Sequence, residues 1–136
     1  MYSSRFSVSL HILTLLAKAG NRLMSSAYIA GSLNINPVLV RKELVNLRRH
    51  RLIATKEGKH GGAYLHKPAG NIYLSDVYRA VHQNALGNKL KNKPNPQCPV
   101  GSRIEGQLLH LYQNTEKVIL GSLAKTTLKK FAGQFP

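Results

Sequence analysis

The sequence predicts a mainly α-helical fold with a small β-hairpin wing, a winged helix-turn-helix, followed by a long C-terminal helix. Three observations predict it. Amphipathic helical spacing recurs before residue 52, with a turn of only a few residues between its second and third segments. Two short apolar runs then flank a glycine-rich turn, which favours a hairpin. A further amphipathic stretch begins after Pro99.

The first predicted helix covers residues 5–21 and ends at Gly20 and Asn21. Its apolar residues form two stripes, Val8, Ile12, Leu15 and Ala19 in one and Phe6, Leu10, Leu13 and Ala17 in the other. Ser7, His11, Thr14 and Lys18 form a polar stripe. A helix that is apolar on two sides needs two packing partners, of which its own domain can be one and a second subunit the other.

The next two helices form the predicted helix-turn-helix. Residues 25–34 are a short helix capped by Ser25 or Ser26, and residues 35–51 open with Asn36 as the N-cap and Pro37 at the first helical position. We expect these side chains to face the core: Ile29, Ala30, Leu33, Val40, Leu44 and Leu47. We expect these to face outward: Val38, Arg41, Lys42, Val45 and Arg49.

The strands and helices after residue 51 are predicted from shorter stretches of sequence. Residues 52–55 and 63–67 are predicted strands, and residues 73–83 are a helix capped by Ser75 or a neighbour. In the last short helix we expect Thr126 to be the cap and Leu128, Phe131 and Phe135 to face inward. We therefore divide the chain into a winged helix-turn-helix domain (1–84), an exposed linker (85–98) and a C-terminal part (99–136) that holds the long helix and a short terminal helix.

The charge of the chain points to a polyanionic partner. The chain has 20 Lys and Arg but 5 Asp and Glu, which gives a formal net charge of +15. We therefore expect nucleic acid as the partner, with a membrane surface as the alternative. No apolar run reaches the roughly 20 residues of a membrane span, and the N-terminus lacks a signal-peptide cleavage site. A single cysteine excludes an intrachain disulfide and a multi-cysteine metal site. We expect a cytoplasmic protein that binds no membrane.

A helix-turn-helix predicts which side chains contact DNA. Its second helix lies in the major groove, where Asn36 can pair with adenine, Arg41 with guanine, and Val38 and Pro37 with thymine methyl groups. Other groups suit phosphates or a narrow minor groove. We expect phosphate contacts from Ser25, Ser26, Arg48, Arg49 and Arg51, and wing contacts from Lys56, Lys59, His60, Gly61 and Gly62.

These residues also admit other interpretations. A basic helix face is most often merely solvated, but the density of cations between residues 41 and 67 favours a nucleic-acid surface. The "EGKHGGAYL" stretch lacks the Lys-Ser/Thr ending of a phosphate-binding loop and starts no helix. His60 can be plain turn chemistry, and Tyr64 suits packing better than base stacking.

The chain resembles the Rrf-two family of bacterial winged-helix transcription regulators. The resemblance spans nearly the whole chain; its most specific parts are "GGAYL" and "LSDVYRAV", while "NPNPQCPVG" resembles the YwnA-like branch. It implies a homodimer through the long helix and the first helix, a palindromic operator, and DNA contacts at Arg5, Ser25, Ser26, 36–42 and the wing. "Leu39-Val40-Arg41" replaces the family's frequent Tyr-Leu-Glu, so the operator should differ.

Iron–sulfur members of that family hold their cluster with three cysteines, whereas this chain has Cys98 alone. We therefore expect no cofactor and no metal. Cys98 is expected at the N-terminus of the long helix, where amide donors and neighbouring cations would lower the pKa of its thiol. A redox switch at Cys98 is one hypothesis; a small residue suited to a helix start is the other.

The sequence thus favours a dimeric, sequence-specific DNA-binding repressor, while the effector stays unknown. The alternative is a non-specific, chromosome-structuring protein, because a net charge of +15 alone attracts any duplex. An enzyme is not expected, since the 5 carboxylates and the histidines show no spacing that would bring them together.

Overall fold

The computed structural model describes residues 4–82 and 92–136, and it confirms the winged helix-turn-helix. The helices are α1 (Ser4–Ala19), α2 (Ser26–Leu33), α3 (Pro37–Arg49), α4 (Leu74–Val81), α5 (Ile104–Leu123) and α6 (Leu128–Ala132). The strands are β1 (Ile53–Lys56) and β2 (Gly62–Leu65), and a 3₁₀ turn covers Ala69–Asn71. Residues 83–91 lie outside the described residues, and they include the first half of the predicted linker, 85–91.

Helix α1 lies at the centre of the core and packs against α3, α4 and α6. Its fully buried side chains include Ile12 and Leu13, which belong to the two predicted apolar stripes. The prediction that Thr14 faces solvent is wrong, because Thr14 is buried and its hydroxyl donates to the carbonyl oxygen of Leu10 at 2.7 Å. That bond satisfies the hydroxyl inside the helix, so the residue can be buried at little cost.

The turn between α2 and α3 forms as predicted. Ser25 is the N-cap of α2, its hydroxyl oxygen accepting from the Tyr28 amide at 3.1 Å. Asn34 closes α2 in the left-handed region with φ 55°, a conformation that Asn tolerates better than most residues. Asn36 then caps α3, with Pro37 as its first residue. These local signals fix the angle at which α3 leaves α2.

The wing is an antiparallel hairpin that pairs Ile53 with Leu65 and Lys56 with Gly62. Met24 adds one residue of a third strand. Its amide donates to the Ala63 carbonyl oxygen at 3.0 Å, and the Ala63 amide donates back to the Met24 carbonyl oxygen at 2.8 Å. The hairpin is therefore held to the segment just before α2.

The last helix begins differently from the prediction. Thr127, rather than Thr126, caps α6, and its hydroxyl oxygen accepts from the Lys130 amide at 3.1 Å. Leu128 is fully buried, and its amide donates to the Ile72 carbonyl oxygen at 2.7 Å. Phe135 was expected inward but is 47% exposed. Helix α6 thus belongs to the core of the winged domain, although the predicted division grouped it with the long helix.

Helix α4 was predicted to be capped by Ser75 or a neighbour, and a neighbour is the cap. The N-cap is Tyr73, whose backbone amide donates to the Asp76 carboxylate at 2.9 Å. Ser75 itself is buried inside the helix. Helix α5 packs against α4, where burial first and the Glu116 carboxylate second raise the pKa of the Tyr78 phenol.

Helix α5 has no buried residue along its 20 residues. Leu109, Leu111 and Val118 are exposed apolar side chains on it. Among the described helices, none combines the length and the apolar character that a membrane crossing needs.

Gly62→Ala should destabilise the fold by about 1–3 kcal/mol, because a Cβ there would lie 2.7 Å from the Met24 carbonyl oxygen and force the wing away from its neighbour. Urea unfolding measures the loss. Gly106→Ala is the matched control: its Cβ meets nothing within 4 Å in the first turn of α5, so it should be neutral or stabilising by up to about 1 kcal/mol. Equal unfolding midpoints for the two variants would contradict this role for Gly62.

Candidate nucleic-acid interface

The outward face of α3 forms the centre of a continuous exposed surface. Val40, Leu44 and Leu47 are buried as predicted, which turns the opposite side of the helix to solvent. The exposed residues of this face are Asn36, Pro37, Val38, Leu39, Arg41, Lys42, Val45, Arg48 and Arg49. Val38 is 59% and Leu39 53% exposed, so this face combines apolar side chains with cations.

Asn36 is committed to capping. Its side-chain oxygen accepts from the Val38 amide at 2.9 Å at the start of α3. A bidentate pair with adenine needs that oxygen and the side-chain amino group to point at the base together. Turning the amide outward would break the cap, at a cost of about 1 kcal/mol. The adenine contact predicted for Asn36 therefore competes with the start of the helix.

A furrow of about 370 Å³ separates α3 from the wing. Arg41, Arg48 and Lys56 line it together with Ser26, so the fold brings these predicted site residues to one place. The Arg48 guanidinium also donates to the Thr55 hydroxyl at 3.3 Å, which ties the end of α3 to β1. Three cations from two elements thus line one groove, and the acid Glu57 lines it as well. The excess of positive charge suits a phosphate backbone.

The tip of the wing projects beyond this furrow. Lys56, Lys59 and His60 are all exposed, and Gly58 adopts a φ of +107°, which side chains rarely adopt. The predicted reason for Gly61 and Gly62 was close approach to DNA. The structure supplies an internal reason, since a Cβ on Gly61 would collide with the Lys56 carbonyl oxygen.

Arg5 contacts an acid that sequence reasoning missed. Its guanidinium donates to the Glu43 carboxylate at 2.9 Å, and the Ser9 hydroxyl donates to the same carboxylate at 3.3 Å. Glu43 is buried with 6% exposure, whereas the Arg5 side chain is 49% exposed. The signal was available, because position 43 falls between Val40 and Leu47 on the buried stripe. The DNA contact of Arg5 stays a prediction.

Cys98 lies in a turn before α5, not at its N-terminus, which begins at Ile104. The expected direction is nevertheless found: hydrogen bonds from the backbone amides of Gly101 and then Val100 lower the pKa of the Cys98 thiol. The cause is a local turn instead of a helix end. Cys98 is a free, half-buried cysteine.

Comparison with known proteins gives one consistent result. The family model described as "Rrf2: Iron-dependent Transcriptional regulator" matches residues 2–134. The chain is 35% identical over 129 residues to YwnA of Bacillus subtilis (strain 168), assigned as an HTH-type transcriptional regulator, and the match covers 95% of each protein. A crystal structure assigned as a DNA-binding protein superposes with a TM-score of 0.74 at 32% identity, covering 94% of this chain and 98% of that one.

The fold also matches the cysteine regulator CymR of B. subtilis, with a TM-score of 0.73, 20% identity and coverage of 100% of this chain and 98% of CymR.

The family is described as iron-dependent, so the side chains of this chain can be compared with those that bind iron. The chain has one cysteine, and the described residues contain no group of three or more His, Cys, Asp or Glu able to hold a metal ion. These residues do not fit an iron site with thiolate ligands.

Arg5→Ala should lower the free energy of unfolding by about 1–3 kcal/mol, because it leaves the buried Glu43 carboxylate without its counter-charge. Glu43→Gln should cost less, since the exposed half of Arg5 can be hydrated instead. Arg79→Ala is the control: its contact with Asp76 is 3.8 Å long and solvent-exposed, so removal should cost under about 1 kcal/mol. Chemical denaturation that ranks Arg79→Ala with Arg5→Ala would refute the structural role of the pair.

Proposed function

The chain belongs to the Rrf2 (Rrf-two) family of transcriptional regulators, and we propose that it acts as a repressor, as a homodimer on a palindromic operator. That it is a sequence-specific DNA-binding regulator follows from the family match over residues 2–134 together with the winged helix-turn-helix. The observation that carries the proposed mode of binding is the exposed, basic and apolar face of α3 beside the cationic furrow. Repression follows when such a dimer occupies a promoter and blocks it.

We propose that the first two turns of α3 enter the major groove. Arg41 and Lys42 lie on the exposed side of those turns, and the wing places Lys59 and His60 at the tip of a hairpin anchored to Met24. One element can then contact base edges while the other contacts the neighbouring minor groove or its phosphates. Ser25 keeps its hydroxyl proton available for a phosphate, because only its oxygen is used in the cap.

The alternative, a non-specific basic protein, is favoured only by the net charge of +15. Charge alone attracts every duplex equally. It explains neither the exposed Val38 and Leu39 nor the family match, so we do not favour it. The family is one of transcriptional regulators, and we propose no catalytic role for the chain.

The homodimer is proposed from helix α5. A 20-residue helix without one buried residue leaves apolar surface in water, which a second copy of the chain would cover. Ile104, Leu111 and Val118 recur every seven residues along α5, and they form one stripe. The partly exposed Phe6, Val8 and Leu15 of α1 offer additional apolar surface beside the core.

Two further properties are part of the proposal. A regulator of transcription acts where the chromosome lies, so we propose a cytoplasmic location. The lowered pKa of the Cys98 thiol is compatible with oxidation as a signal, but it names no oxidant and no partner group, so redox control stays a hypothesis.

Arg41→Ala should weaken operator binding by about 1–3 kcal/mol and relax base preference, because it removes a groove contact. The operator is first recovered by sequencing DNA fragments that the protein retains; wild type should prefer it to random DNA by about 10³-fold or more at physiological salt. Lys59→Ala should weaken all sequences alike and reduce the salt slope by about 1. Lys130→Ala, on the exposed side of α6, is the control. If Arg41→Ala leaves operator and random DNA equally unaffected, the placement of α3 is wrong.

Val118→Glu should convert the dimer into a monomer, because it puts a charge into the proposed apolar contact. Val118 is 73% exposed in the single chain, so the substitution should leave the fold intact. Light scattering should give about twice the chain mass for wild type, and 15.0 kDa for the variant. Gln113→Glu, exposed on the opposite side of α5, should remain a dimer. A monomeric wild type would contradict the proposal.

A further inference from the structure

We infer that α3 recognises its operator through guanine and thymine edges alone, with Val38 and Leu39 contacting thymine 5-methyl groups as specificity-determining residues. This rests on the proposed placement of α3 in the major groove. It goes beyond that placement by naming the base chemistry that the helix can accept.

The inference begins with the acceptors of residues 36–49. Only three side chains in this range carry an acceptor oxygen: Asn36, Glu43 and Asn46. The Asn36 oxygen caps α3, and the Glu43 carboxylate is buried against Arg5 and Ser9. Asn46 is half-buried, and its amino group donates to the Ala80 carbonyl oxygen at 2.9 Å. The Asn36 and Glu43 acceptors are therefore engaged inside the protein. The Asn46 side chain is tied to α4 through its amino group, and it lies in the third turn of α3, beyond the two turns that we propose enter the major groove.

The groups that remain exposed are of two kinds. Arg41 and Lys42 are pure donors, since a guanidinium and an ammonium carry no acceptor. Val38 and Leu39 are apolar and more than half exposed, one turn ahead of these cations. The face thus offers N–H donors and methyl groups, and it offers no acceptor without disturbing the cap or the interior.

These groups match the major-groove edges of the four bases unequally. Guanine presents two acceptors, which N–H donors can satisfy. Thymine presents one acceptor and a methyl group, which a donor and an apolar side chain can contact. Cytosine presents an amino donor, and adenine presents an amino donor beside its N7 acceptor. Either amino group would find no acceptor on the first two turns of α3 and would lose its hydration. Positions read by α3 should therefore be guanine or thymine on the contacted strand.

Deoxyuridine provides a direct test, because it differs from thymidine by the methyl group alone. After the operator is recovered, each thymine is replaced singly by deoxyuridine, and Kd is measured by fluorescence anisotropy at fixed salt. For wild type, at least one replacement in each half-site should raise Kd about three- to fivefold, the value of one buried methyl group. The same replacement should raise Kd less than about 1.5-fold for Val38→Ala or Leu39→Ala, since the contact is already gone.

Val100→Ala is the matched control, because Val100 is 67% exposed and lies outside the winged domain. It should keep the full penalty of the wild type. Thermal melting shows that each variant is folded, as truncation at these exposed positions should leave the core unchanged. If every deoxyuridine is neutral for the wild type, or if its penalty persists in both Val38→Ala and Leu39→Ala, the inference is overturned while the proposed function stands. Failure to enrich any sequence over random DNA would overturn both.

Discussion

The Glu43 carboxylate, held between Arg5 and Ser9, is the contact on which the orientation of the DNA-facing surface depends. Helix α3 can rotate about its axis only if its buried stripe slides on α1, and Glu43 lies in that stripe beside Val40 and Leu47. An apolar stripe alone is tolerant of small shifts, because dispersion contacts have no direction. A buried carboxylate with two donors tolerates few positions. The pair therefore fixes which residues of α3 face outward.

The wing is fixed to the same frame by two separate contacts. Met24 pairs with Ala63 through two backbone hydrogen bonds, and the Arg48 guanidinium donates to the Thr55 hydroxyl. These contacts join the hairpin to the segment before α2 and to α3. Ordering a loop on binding costs free energy, and a wing that is already ordered avoids most of that cost. The glycines of the hairpin thus serve affinity by way of internal packing.

Elements whose ends are set by local chemistry were predictable from the sequence; those set by distant packing were not. The caps of α2 and α3 were recoverable because Ser25, Asn36 and Pro37 act within three residues of themselves. Thr127 replaces Thr126 as a cap because the chain must also bond to Ile72, more than 50 residues earlier. A separate turn lies between Cys98 and α5. Pro99 indicated that a helix follows, but it did not indicate how many turn residues come before that helix. At the site, the exposure of the cations was predictable, and the position of Glu43 on the buried stripe could be read from the helical spacing. Its pairing with Arg5, 38 residues earlier, could not.

Charge and base contacts contribute differently to DNA binding, and this difference explains how so basic a chain can prefer one DNA sequence. Attraction to phosphates contributes the same free energy on every sequence, so a net charge of +15 raises affinity without raising the specificity ratio. Selectivity must come from the few groups on α3 that contact bases, and each mismatch there is worth only about 1–3 kcal/mol. In the proposed homodimer, two copies of α3 contact one duplex and their free energies add, so the discrimination ratio of one half-site is squared. The proposed dimer contact of α5, a helix that has no buried residue in the single chain, would then matter to selectivity as much as Arg41 or Val38.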